Sequence, residues 1–268
     1  DGPNNDLTVL QIFSTIKAFA ALRSDGSVVT WGRSEDQWGN YGADSSNVDF
    51  DGPDNDLTVS QIFSTQNAFA ALRSDGSVVT WGDIPQGGDS SNVDFDGPNN
   101  DLTVSKIYST LGAFAALRSD GSVVAWGDKD DGGKSSEVDL NGANNDLTID
   151  RIYSTDSAFA VIRSDGSVVS WIRDGWGDYS RNVDFDGPNN DLKVSQIYTT
   201  YGGFIALRSD GSVVGWGGSG GYTGDVDFDG PNDDLSVSKI FSNVHCFAAI
   251  RSDGSVVTWG IDKRGGDS

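Results

Sequence analysis

Arg73-Ser74-Asp75-Gly76-Ser77-Val78-Val79 is the stretch that decides the fold, because the same heptapeptide recurs unchanged six times along the 268 residues. Its arginines are Arg23, Arg73, Arg118, Arg163, Arg208 and Arg251, at successive spacings of 50, 45, 45, 45 and 43 residues. A fixed period of this size marks a propeller or a solenoid, and overrides the two-domain organisation that length alone permits. Reading outward from the second copy, Ser74-Asp75-Gly76 is a tight turn in which glycine supplies a positive φ. Residues 77–81 (SVVTW) then read as a strand. On the other side, residues 68–72 (AFAAL) form a continuous run of small apolar side chains, the pattern of a strand buried on both faces. Before it, residues 59–65 (VSQIFST) alternate apolar and polar, as a further strand does. A glycine-rich stretch after Trp81 leads to residues 92–95, which are expected to form a short fourth strand.

No segment has the length and 3.6-residue period of an amphipathic helix. One copy cannot bury both faces of its own sheet, whereas six sheets packed radially share a core. The expectation is an all-β, closed six-bladed β-propeller forming a single domain over residues 1–268. The sequence starts at Asp1-Gly2-Pro3, partway through a repeat, and stops at Gly266-Asp267-Ser268, just short of that point. The two ends are therefore expected to share one blade and zip the ring shut.

Charge narrows the function classes. Eighteen Lys and Arg stand against 40 Asp and Glu, a net charge of −22. Such a chain repels phosphate backbones and anionic lipid, so neither nucleic-acid binding nor membrane insertion is expected. No apolar run reaches the roughly 20 residues that span a bilayer. One cysteine, Cys246, precludes an internal disulfide, and with the single histidine, His245, it cannot build a zinc site of three or four such ligands. Thirteen Phe, eight Trp and seven Tyr supply core material despite the charge.

The run Ala21-Leu22-Arg23-Ser24-Asp25-Gly26-Ser27-Val28-Val29-Thr30-Trp31-Gly32 and its five relatives resemble the central signature of the regulator of chromosome condensation repeat. That signature joins a Leu, an Asp-Gly turn, a Val strand and a Trp-Gly pair. The resemblance implies a propeller and says little about function, since the family includes nucleotide-exchange factors, a bacterial β-lactamase inhibitor and surface proteins. The copies here are shorter and six rather than seven, and Ala68 stands where the eukaryotic pattern has His. A nuclear exchange-factor role is not expected, and a divergent bacterial-type form is.

Four features invite chemistry. The acidic linkers carry Asp49, Asp51 and Asp56; Asp94, Asp96 and Asp101; Asp139, Asn141 and Asp146; Asp184, Asp186 and Asp191; and Asp227, Asp229 and Asp234. Clustered carboxylates on a tight turn are what Ca²⁺ takes, and the loop resembles the calcium loops of integrin-type propeller repeats. The competing reading is an Asx-rich turn whose side chains bond their own backbone. No cofactor is required, and Ca²⁺ is the one candidate. The repeated Trp31, Trp81, Trp126, Trp171, Trp216 and Trp259 read as packing between blades, or as sugar platforms of a lectin. The segments after each Trp vary most: 33–41, 83–86, 128–131, 173–179 and 217–222. Their extra aromatics, Trp38, Tyr41, Trp176, Tyr179 and Tyr222, are the expected contact residues for a protein or glycan partner, since variation over a fixed scaffold is where contacts sit. Finally, His245 and Cys246 are neighbours on a strand, so their side chains diverge and cannot pair as base and nucleophile. Taken together, the sequence points to a binding, adhesion or structural module, extracellular or on the cell surface and suited to a larger surface assembly, and not to an enzyme.

Overall fold

The computed structural model describes residues 7–36, 39–136, 138–141, 146–172, 183–187, 189–218, 221–224, 226–230, 232 and 234–266. The chain falls into two compact units, Asp1–Glu137 and Val138–Ser268. Unit 1 holds three blades: β1 (Val9–Ser14), β2 (Ala18–Arg23) and β3 (Val28–Gly32); β6 (Val59–Ser64), β7 (Ala68–Arg73) and β8 (Val78–Gly82); β9 (Val104–Ser109), β10 (Ala113–Arg118) and β11 (Val123–Gly127). A short ribbon of β4 (Glu35–Asp36) and β5 (Gly39–Asn40) follows the first blade. Unit 2 holds β12 (Ile149–Ser154), β13 (Ala158–Arg163) and β14 (Val168–Ile172); β15 (Val194–Thr199), β16 (Gly203–Arg208) and β17 (Val213–Gly217); β18 (Val237–Ser242), β19 (Cys246–Arg251) and β20 (Val256–Gly260). Each blade is a three-stranded antiparallel meander in chain order. The terminal residues 1–6 and 267–268, on which the shared-blade expectation rests, lie outside the described residues.

The AFAAL run is buried on both faces, as its composition requires. In unit 1, Ala18, Ala20 and Leu22 of β2 pack on Val59, Ile62, Phe69, Ala71 and Trp81 of the next blade. Ala68, Ala70 and Leu72 of β7, which alternate with Phe69 and Ala71, pack in turn on Val104, Ile107, Phe114, Ala116 and Trp126. Period-2 alternation thus sends one set of a strand's residues backward and the other forward. The forward-facing alanines keep neighbouring sheets close. Unit 2 repeats the arrangement, with Ala158, Ala160 and Ile162 set against Val194, Ile197, Phe204, Ala206 and Trp216. The first copy differs: Phe19 and Trp31 are each 43% exposed, where Phe69 and Trp81 of the second are buried.

The Asp-Gly turn forms as read. Gly76 has φ +84°, and a Cβ there would stand 2.6 Å from the Cβ of Thr103, so only glycine fits. Residues 92–95 do not form the expected fourth strand. The Val93 amide instead closes a turn on the Ser90 carbonyl at 2.9 Å. Phe95 then drops edge-on onto Trp126, with ring centroids 5.1 Å apart. Docking that ring costs the segment the extended path a fourth strand needs.

Candidate functional site

Strand register divides every blade into two ends. Ala68 pairs with Gly82, so the turn before β7 and the segment after Trp81 emerge together. Val59 pairs with Arg73, so the Asp-Gly hairpin and the acidic linker share the opposite end. The same pairings recur, as Ala18 with Gly32, Ala113 with Gly127 and Cys246 with Gly260.

The hairpin end is built from the residues common to the copies. Asp75 Oδ1 accepts from the Ser77 amide at 2.9 Å and from its hydroxyl at 2.6 Å. Partial burial pushes the Asp75 carboxyl up, but the Ser77 donors and nearby Arg73 outweigh it and hold the carboxyl below its ordinary value. Asp120, Asp165 and Asp210 repeat this balance with Ser122, Ser167 and Ser212. The arginines act as staples. Arg163 Nη2 donates to the Asp139 carbonyl at 2.7 Å, and Arg73, Arg118, Arg208 and Arg251 donate likewise to the carbonyls of Asp49, Asp94, Asp184 and Asp227.

In four of the acidic linkers the leading carboxylate turns onto its own backbone. Asp49, Asp94 and Asp184 each accept from a glycine amide three residues on, at 2.7, 2.6 and 2.7 Å. Asp227 does the same with Gly230 at 2.5 Å. The backbone carbonyls of Asp51, Asp96, Asn141, Asp186 and Asp229 each accept from the Leu amide six residues later, at 2.9 Å in every case. Asp96 also takes the Asn100 side-chain amide at 2.9 Å. Among the described residues, no three His, Cys, Asp or Glu side chains converge into a metal-holding group. The amides of Asp101, Asp191 and Asp234 also donate to the carbonyls of Asp96, Asp186 and Asp229, at 3.1 Å in each case, and Asp56 and Asp146 hold the same place in sequence. Side-chain-to-backbone bonds of this kind hold a tight turn and engage one oxygen of each leading Asp.

The variable end carries what differs between copies. At the turn between the first two strands, one position is occupied in order by Ile16, Gln66, Leu111, Asp156, Tyr201 and Val244, no two alike. Ile16, Tyr201 and Val244 are exposed. Backbone bonds link these turns from blade to blade within each unit. In unit 1, the Ile16 amide donates to the Gln66 carbonyl at 2.9 Å and the Gln66 amide to the Leu111 carbonyl at 2.7 Å. In unit 2, the Asp156 amide donates to Tyr201 at 3.1 Å and the Tyr201 amide to Val244 at 2.8 Å. The segments after Trp-Gly fold beside the turns: Thr15 Oγ1 donates to the Tyr41 carbonyl at 2.9 Å, and Thr110 Oγ1 to the Asp131 carbonyl at 2.8 Å. Sequence reasoning missed these turn positions. Their variation across all six copies is the signal that marks them.

Of the expected contact aromatics, Tyr222 is exposed at 71%. Tyr41 is not a contact residue. It is buried at 2% exposure among Ala18, Phe69 and Trp81. Its hydroxyl accepts from Lys17 Nζ at 2.9 Å, and the Gly42 carbonyl beside it takes the Trp81 indole N–H at 3.0 Å. Its loop folds back into the blade because that indole needs an acceptor. Trp38, Trp176 and Tyr179 lie outside the described residues. The repeated Trp81, Trp126, Trp171, Trp216 and Trp259 are buried, so those five offer no platform to a sugar. Cys246 is buried, and its thiol donates to the Ile261 carbonyl at 3.3 Å. His245 instead meets Arg264.

No family model and no curated protein matches the sequence. Solved structures do match in fold. Human WBSCR16 is 18% identical, with 95% of this chain and 77% of that one covered and a TM-score of 0.53. Yeast RCC1 (Prp20), solved with Kap60 bound, is 19% identical, with 80% and 57% covered and a TM-score of 0.51. The ectodomain of the Physcomitrella patens receptor kinase CR4 is 15% identical, with 95% and 62% covered and a TM-score of 0.49. The chain thus spans less than two thirds of the yeast and Physcomitrella chains. With its six three-stranded antiparallel sheets, the fold is that of a six-bladed β-propeller.

Proposed function

We propose that the chain is an interaction module that takes a protein partner on the variable ends of its blades, presented outside the cell or on its surface. The observation that carries this reading is a coincidence of two independent properties. The turn position that differs in every copy carries an exposed apolar or aromatic side chain in three of the six, Ile16, Tyr201 and Val244, and Tyr222 of a variable segment is exposed as well, on an otherwise acidic chain. Large exposed apolar residues at the variable end of blades, as Tyr201, Tyr222 and Val244 are in unit 2, are the usual material of protein interfaces. The similar yeast propeller has Kap60 bound in its solved structure, which makes a protein partner reasonable for such a scaffold. The strong negative charge favours solubility in a salty external medium. We further propose that the copies are a divergent form of the regulator of chromosome condensation repeat, on the Asp-Gly and Trp-Gly signature quoted above.

The test compares surfaces. Wild type, a Tyr201→Ala plus Tyr222→Ala variant and an Asp120→Asn variant are immobilised and exposed to surface and secreted protein fractions. A partner retained by wild type is expected to weaken at least about 10-fold on the first variant, about 1.4 kcal/mol, and to be kept by the second. Loss on Asp120→Asn alone, or selective binding to a glycan array without any protein partner, overturns the reading.

A further inference from the structure

The hairpin end of unit 1 holds two equivalent clefts, each where the Asp-Gly-Ser turn of one blade meets the linker into the next. One, of about 380 Å³, is walled by Val28, Val48, Phe50 and Leu57 and rimmed by Asp25 and Asp51. The other, of about 390 Å³, is walled by Val78, Val93, Phe95 and Leu102 and rimmed by Asp75 and Asp96. Position for position the residues are identical, and neither cleft has a basic side chain in its lining. The walls are half-buried hydrocarbon and the rims are exposed carboxylates. Asp25 and Asp75 are held ionised by the Ser27 and Ser77 donors.

Unit 2 varies at this place, with Ser236 against Gly211 and a longer side chain against Gly166. There the residue matching Thr58 and Thr103 is Lys193. Its stem runs across Gly166 so closely that a Cβ on that glycine would lie 2.8, 2.9 and 3.0 Å from the lysine Cβ, Cγ and Cδ. At Gly26 and Gly76 the matching residue is the shorter Thr58 or Thr103, whose Cβ lies 2.4 and 2.6 Å from where a glycine Cβ would stand and which carries no ammonium. The molecule thus lays its own alkylammonium chain over the turn at one junction, where two others carry threonine.

We infer that these two clefts bind an alkylammonium group, the side chain of a lysine in a partner peptide. The methylene stem lies on the Val, Phe and Leu wall, and the ammonium reaches the two rim carboxylates. Lysine divides in this way wherever an apolar surface ends in acceptors, and opposite charge at the rim favours the cation over any neutral chain of equal length. The inference is independent of the variable-end reading, since it concerns the opposite end of the blades.

The probe is a short peptide with two lysines spaced by glycines, against the same peptide acetylated on both lysines. Three double variants raise the net charge equally: Asp51→Asn with Asp96→Asn, Thr58→Lys with Thr103→Lys, and Asp44→Asn with Asp89→Asn. The first two are expected to weaken binding at least about threefold more than the third, which leaves the cleft linings intact. On wild type, the peptide is expected to shift the methyl resonances of Val28, Val78, Leu57 and Leu102 selectively, a reading that needs no variant to fold. Equal weakening by all three variants, equal binding of the acetylated peptide, or methyl shifts spread over the whole chain overturns the inference.

Discussion

At the scale of single residues, the repeated tryptophan shows how one side chain does several jobs. Trp126 stacks on Phe114 across the strand pair, with centroids 5.2 Å apart, and takes Phe95 of the linker edge-on at 5.1 Å. Its indole N–H reaches the Gly87 carbonyl at 3.1 Å. Replacing Trp126 by Phe keeps most of the stack and orphans that carbonyl. The expected loss is about 1–3 kcal/mol, read by denaturant unfolding. The sequence showed that these rings recur and so belong to the scaffold, but not that Phe95 would be their partner, since the contact depends on how the linker turns. The turn aspartates carry a pH signature. Their carboxyls sit below the model-compound value of 3.8 in the folded state. A group so depressed stabilises the fold above its unfolded value and loses that contribution as pH falls through the folded value. Thermal melts are therefore expected to fall steeply below about pH 4. A variant with Ser77, Ser122, Ser167 and Ser212 changed to Ala is expected to show a shallower fall, and an unchanged profile refutes the assignment.

At the scale of elements, the strands were legible and the linker was not. Residues 68–72 announce a doubly buried strand by composition alone, and the invariant Asp-Gly fixes the hairpin that follows. The acidic linker reads equally as a metal loop or as an Asx turn, because both use the same oxygens. What separates them is direction, and the amides of Gly52, Gly97, Gly187 and Gly230 each engage one oxygen of the leading Asp in their loops. With those oxygens engaged, the thermal midpoint is expected to be the same in EDTA and in millimolar Ca²⁺. A rise with Ca²⁺ supports the metal reading, since a ligand of the folded state alone must stabilise it. The variable turn was harder to see. Two or three residues between strands carry no periodicity, and only aligning all copies reveals that the position of Ile16 and Tyr201 is free to change.

At the scale of the whole molecule, charge is the dominant property. The net −22 is borne largely by the linkers and turns, where neighbouring carboxylates repel across water. Salt screens such repulsion, with a Debye length of about 10 Å at 0.1 M and about 3 Å at 1 M. The thermal midpoint is expected to rise between 10 mM and 500 mM NaCl, and a flat response argues that the carboxylates are already offset. Composition made this legible from the start. The division of labour between the two ends of each blade was not, because it follows from register, which the sequence leaves implicit.

That division has a consequence for how such a chain can change. The backbone bonds joining Ile16 to Gln66 and Tyr201 to Val244 use only amides and carbonyls, so they survive almost any side chain placed there. Each blade is in effect a cassette: a gene duplication copies the framework intact, and point mutations at a single codon per copy then rewrite the surface without loosening it. A library randomised at those codons would be expected to fold at high frequency, which makes the molecule a natural starting point for selecting new binders.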